Sequence, residues 1–121
     1  MSDCGVCLYG EVDEPSQVWL TDDVRARKPH KCYECGRIID KGQTYQRVKS
    51  LFDHEWSIYR TCSVCAEIRN TFYCDTEIVG EFWEQMQDYV FPEMTTGCLS
   101  RLKTSEAKAE LQRRWLEWKG L

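Results

Sequence analysis

The 121-residue chain contains only two histidines, three prolines and seven glycines. With only His30 and His54, a nuclease-type constellation of several histidines cannot be completed in the usual way. No run of about 18 apolar residues occurs, so no membrane-spanning helix is expected. The opening MSDCGVCLYGEVDEP has no basic stretch followed by an apolar one, and so does not read as a secretion signal. Together these absences lead to the expectation of a cytoplasmic protein whose thiols stay reduced. No internal repeat or low-complexity tract is present.

Cationic residues are missing from two long stretches. Residues 1–24 carry six acids and no Lys or Arg, and residues 73–98 again carry six acids and no base. The bases concentrate in residues 25–49, with eight Lys or Arg against two acids, and in residues 99–121, with six against three. The formal net charge is −4. A zinc ion held by four thiolates carries a formal −2, so two such sites would take the holo protein to about −8. That balance argues against a general coat for nucleic acid.

Cysteine is what the chain has in excess: eight residues, six of them in C-x-x-C pairs at Cys4/Cys7, Cys32/Cys35 and Cys62/Cys65. In a reduced compartment such pairs point to metal. Two intervening residues let one tight turn aim both sulfurs at a single ion about 2.3 Å away. Gly36, just after Cys35, suits the left-handed backbone such a turn needs.

Between the second and third pairs, Thr44 to Leu51 reads as a strand, Asp53-His54-Glu55 as a hairpin tip and Trp56 to Thr61 as the returning strand. The third pair then opens a helix over about residues 66–70. Knuckle, hairpin, then C-x-x-C at a helix start is the order of a treble-clef zinc finger. Cys32, Cys35, Cys62 and Cys65 fill its site, and the helix N-terminus stabilises their negative charge.

Cys4 and Cys7 need two further ligands, and Cys74 and Cys98 remain. A second zinc site of Cys4, Cys7, Cys74 and Cys98 follows by elimination, giving two zinc ions per chain. Other arrangements stay open: a buried Cys98 thiol with His30 or His54 as substitute ligand, or a cross-braced pairing with the first site.

The fold class expected is small α+β in a single zinc-binding domain. The treble clef would span about 30–74 and a helical part about 75–121. Residues up to about 23 read as irregular. A helix is expected from about 76 to 91, with Ile78, Val79, Phe82, Trp83, Met86 and Val90 facing inward. A last helix is expected over 105–119, capped by Thr104 or Ser105, with Ala107, Leu111, Trp115 and Trp118 on one side.

The stretch ARKPHKCYECG from Ala26 to Gly36, with Ile39, Lys41-Gly42, Tyr45, Thr61-Cys62, Cys65 and Ile68-Arg69, resembles a set of small phage and prophage proteins. Those proteins are rich in cysteine, open on a C-x-C or C-x-x-C element and mostly have no assigned activity. The resemblance covers roughly residues 1–74. It implies a viral origin, a zinc-bound treble clef and no particular reaction.

Three functional readings follow. The favoured one is a non-catalytic binding protein acting on a host protein, with the acidic block from Asp75 to Glu93 or exposed tryptophans as the docking surface. The second is a nucleic-acid-binding regulator. Arg25, Arg27, Lys28 and Lys31 would face phosphates, with Tyr33 and Tyr45 near in sequence. The third is an HNH-like nuclease using His54, but the helix after Cys65 lacks the second histidine that chemistry needs.

Overall fold

The computed structural model describes residues 4–9, 18–74 and 79–120. They form a small mixed α+β protein in the order β1 (Val18–Arg25), β2 (His30–Lys31), β3 (Ile38–Ile39), β4 (Thr44–Phe52), β5 (Glu55–Cys62), α1 (Ser63–Phe72), α2 (Phe82–Gln85), α3 (Thr96–Leu99) and α4 (Ser105–Lys119). The chain divides into two compact units at Ala66/Glu67, inside α1. One unit holds the strands. The other holds the N-terminal segment and the helices from Glu67 onward.

In the strand unit, β4 lies between β1 and β5 in an antiparallel sheet, and β2 pairs with β3. The hairpin is the one its sequence predicts: Asp53 and His54 take positive φ at the tip, and β4 and β5 pair from Phe52↔Glu55 down to Tyr45↔Cys62. Strand β1 was not expected, because residues up to about 23 read as irregular. Its middle carries Asp22 and Asp23, which break any apolar alternation. The register supplies the reason it forms. Asp22 stands opposite Arg47, whose guanidinium donates to both carboxylate oxygens at 3.2 and 2.8 Å. Opposite charges facing across strands stabilise the pairing. On one face Gln46, Val48, Ser50 and Thr61 are buried. On the other, Leu20, Trp56 and Ile58 are exposed.

In the helical unit, the helix expected over 76–91 is shorter and irregular. Residues 75–78, including Ile78, lie outside the described set. Gly80 has φ +98, a left-handed conformation that separates what precedes it from the helix. α2 then begins at Phe82, widens into a π turn over Met86–Val90 and closes as a 3-10 turn over Phe91–Glu93, with Pro92 in that last turn. Of the inward set, Phe82, Trp83, Met86 and Val90 are buried as their spacing predicts, whereas Val79 precedes the helix and is half-buried. α4 matches its expected bounds. Thr104 accepts from the Ala107 amide at 3.2 Å, and Gly120 ends the helix in the left-handed conformation. Ala107, Leu111 and Trp115 are buried, whereas Trp118 is exposed, against Phe91 with ring centres 5.9 Å apart.

Glu67 on α1 adds a second cap to α4. Its carboxylate accepts from the Lys103 amide at 2.6 Å, the Thr104 amide at 3.1 Å and the Thr104 hydroxyl at 2.7 Å. Burial would raise its pKa, but hydrogen bonds from Thr104 and Lys103, together with the Lys103 charge, outweigh it and hold the carboxyl below its ordinary 4.5. The cap's contribution is therefore complete above about pH 4.5 and is lost as pH falls through the lowered folded-state value. Glu67→Ala is expected to cost about 1 kcal/mol at pH 7, a modest figure because the site is open to solvent. The same variant should cost less near pH 2, where more of the carboxyl is protonated. Denaturant titrations at the two pH values check this, and an equal loss at both would show that the carboxylate charge is irrelevant.

Candidate metal centre

Strand β2 delivers the chain to a knuckle at Cys32–Cys35. The Gly36 amide donates to the Cys32 carbonyl at 2.9 Å, and the Cys32 amide donates to the Arg37 carbonyl at 2.8 Å. Gly36 takes φ +78, so only glycine passes here without strain. The Tyr33 amide donates to the Arg60 carbonyl at 2.7 Å, tying the knuckle to β5 two residues before Cys62. Cys62 ends β5 and Cys65 lies in the first turn of α1.

This arrangement brings all four sulfurs within 4.8 Å of one another. Cys35 and Cys62 Sγ are 3.9 Å apart, and the Cys62 amide donates to Cys32 Sγ at 3.3 Å. Four sulfurs at 2.3 Å from a tetrahedral ion would be about 3.8 Å apart. The sulfurs are too far apart for S–S bonds and suitably placed for one cation, so this group could hold a metal ion. Cys32 and Cys65 are buried; Cys35 and Cys62 are half-buried.

The thiols compete for a single negative charge. Hydrogen bonds from Cys62 and Cys65 push Cys32 far down. Donation to Cys32 pushes Cys62 up to about 12 and raises Cys65 further. Shared hydrogen bonds among the crowded thiols, more than charge repulsion, account for this pattern, and a divalent cation would remove it by holding all four as thiolates.

The remaining four cysteines behave differently. Cys4 is joined to Cys98 and Cys7 to Cys74 by disulfides. In this state they form no second metal site, because a sulfur in an S–S bond has no thiolate to donate. In this state none of the four is a free thiol that could join His30, His54 or the first group around a metal. His30 rests against Tyr45, ring centres 5.4 Å apart. Loss of hydration, then Arg60 and Lys28, holds its pKa below the ordinary value. His54 is exposed at the hairpin tip, eight positions from Cys62 along β5. That is about 26 Å of extended chain, which keeps it out of the four-sulfur group.

Arg25, Arg27, Lys28 and Lys31 are all exposed, and none forms an ion pair with another described residue. Tyr45 is buried and unavailable for stacking on a base; Tyr33 is exposed, with its ring centre 4.9 Å from that of Tyr59. In the acidic block, Glu81, Glu84, Asp88 and Glu93 are exposed without an ion pair among the described residues. Tyr89 beside them is 64% exposed. Asp75 and Glu77 lie outside the described set. The tryptophan reading divides: Trp83 and Trp115 are core, with Arg114 4.0 Å over the first and Lys119 3.8 Å over the second. Trp19 and Trp56 are exposed on opposite faces of the sheet, Trp19 beside Ser50 and Trp56 beside Leu51, and strand spacing alone predicted neither.

Among the described residues, no helix is long and apolar enough to cross a membrane. Comparison with protein-family models, with curated proteins and with solved structures finds no match.

Proposed function

We propose that the chain is a non-catalytic, zinc-stabilised binding protein of phage origin that acts in the host cytoplasm on a host protein. Zinc is the metal that suits four clustered thiolates with no open position. Knuckle, hairpin and helix start are the parts of a treble clef, and a closed site of this kind supports a structural role rather than a reaction.

The observation that carries the partner class is the acidic helical surface. Glu81, Glu84, Asp88 and Glu93 are exposed and lack ion pairs among the described residues, in a stretch with no Lys or Arg from 73 to 98. Such a face complements a basic groove on a protein, including one that otherwise holds nucleic acid. The exposed bases Arg25, Arg27, Lys28 and Lys31 favour the second reading, direct nucleic-acid binding.

Glu81→Lys, Glu84→Lys and Asp88→Lys together are expected to weaken partner capture from a bacterial lysate at least tenfold, with zinc content unchanged. Wild-type capture should itself weaken as salt rises. Unchanged capture would dismiss the acidic face. Retention of DNA or RNA near physiological salt, lost on reversing Arg25, Arg27 and Lys28, would establish the nucleic-acid reading instead.

A further inference from the structure

We propose that Cys4, Cys7, Cys74 and Cys98 form a second four-thiolate zinc site in the reduced protein, and that the Cys4–Cys98 and Cys7–Cys74 bonds are its oxidised, metal-free state. Both bonds leave one knuckle, Cys4 to Cys7, with the same spacing as Cys32 and Cys35. The backbone gathers the partners independently of the sulfurs. The Leu8 amide donates to the Phe72 carbonyl at 2.7 Å and the Cys74 amide to the Leu8 carbonyl at 3.0 Å, which sets Cys7 alongside Cys74.

Arg101 supplies the second observation. Its amide donates to the Cys98 carbonyl at 3.2 Å. Its guanidinium donates to the Val6 carbonyl, inside the knuckle, at 2.7 Å, to the Thr71 carbonyl at 2.8 Å and to Cys4 Sγ at 3.5 Å. A neutral disulfide draws little from a guanidinium. Four thiolates around Zn²⁺ carry a formal −2 and draw much more. The cation stands where the metal-bound state needs it.

The conversion balances with a dithiol as reductant. Two dithiol molecules each pass two electrons and two protons to one protein disulfide and become cyclic disulfides. The four thiols formed then release four protons to solvent as four Zn–S bonds form. Cys74 is exposed and Cys98 is buried, so attack opens Cys7–Cys74 before Cys4–Cys98.

The test uses the full chain in two states: reduced with dithiothreitol and loaded with zinc, or re-oxidised with glutathione disulfide. Metal per chain is measured, then cysteines are alkylated after chelation and unfolding and read by mass spectrometry. The reduced state is expected to hold two zinc ions and yield eight alkylated cysteines. The oxidised state should hold one, with alkylation confined to Cys32, Cys35, Cys62 and Cys65 and with peptides linked 4–98 and 7–74. Reduced Cys98→Ser should hold one zinc; should that variant not fold, Cys74→Ser, at an exposed position, is expected to give the same count. A reduced chain with eight alkylatable cysteines but one zinc would overturn the proposal and leave the bonds as fixed staples. So would bonds that resist the dithiol until the chain is unfolded, or a second zinc that persists in both variants.

Discussion

Cys65→Ser is expected to abolish metal binding at the Cys32, Cys35, Cys62 and Cys65 group and, with it, cooperative unfolding of the strand unit. Cys65 is 1% exposed and lies in the first turn of α1. A serine hydroxyl there supplies no thiolate, and three sulfurs cannot close the site. Structural zinc contributes on the order of 10 kcal/mol or more at pH 7. A domain of this kind is stable by only about 5–15 kcal/mol in total. Losing the metal therefore removes most of what holds the two-residue strands β2 and β3 and the knuckle in place. Metal analysis and near-UV circular dichroism through a thermal ramp check the result. A strong chelator on the wild-type protein should reproduce it. A Cys65→Ser chain with full metal content and an unchanged transition would remove the four-sulfur centre from consideration.

Phe82→Ala is expected to destabilise the helical unit by about 3–5 kcal/mol. Phe82 is fully buried, with ring centres 4.8 Å from Trp83 and 6.0 Å from Tyr73. Truncation leaves a void between two large rings, and the Tyr73 hydroxyl, which donates to Gln85 at 2.6 Å, resists the collapse that would fill it. For a unit of this size the melting midpoint should fall by about 12–40 °C. Tyr89→Ala, seven residues on and largely exposed, should change stability by no more than about 0.5 kcal/mol. Differential scanning calorimetry of the two variants separates them. A similar small shift in both would mean that the buried aromatic group does not carry the packing of this unit.

The four-sulfur cluster was legible because the spacing that brings two thiols together is written locally. Each C-x-x-C pair needs one tight turn, and Gly36 marks the first of them with a left-handed backbone. The hairpin between the pairs was legible for a similar reason: alternating side chains and a two-residue tip define β4 and β5 without reference to anything distant. α4 was legible from its cap at Thr104, its apolar spacing and its closing Gly120.

What failed depended on partners far away in the chain. The strand character of β1 rests on Arg47 standing across from Asp22, and two adjacent acids carry no strand signal of their own. Arg69 and Glu110 are buried despite their charge. Glu110 is compensated in place, since it accepts from Arg113 and lies 3.7 Å from Arg114 on the same helix. The helix that spacing alone extends from 76 is limited by the left-handed Gly80 and reshaped by a π turn.

The sequence by itself determined the pairs that a single turn can bring to one ion, the hairpin joining them, and the capped C-terminal helix. Short-range geometry decides each of these. Only the tertiary structure decided how the other four cysteines combine, because Cys4 meets Cys98 across 94 residues and Cys7 meets Cys74 across 67. Contacts at that separation depend on which backbones the whole fold lays side by side. Here those are Leu8 against Phe72 and Cys74, with Arg101 bridging to Val6 and Thr71.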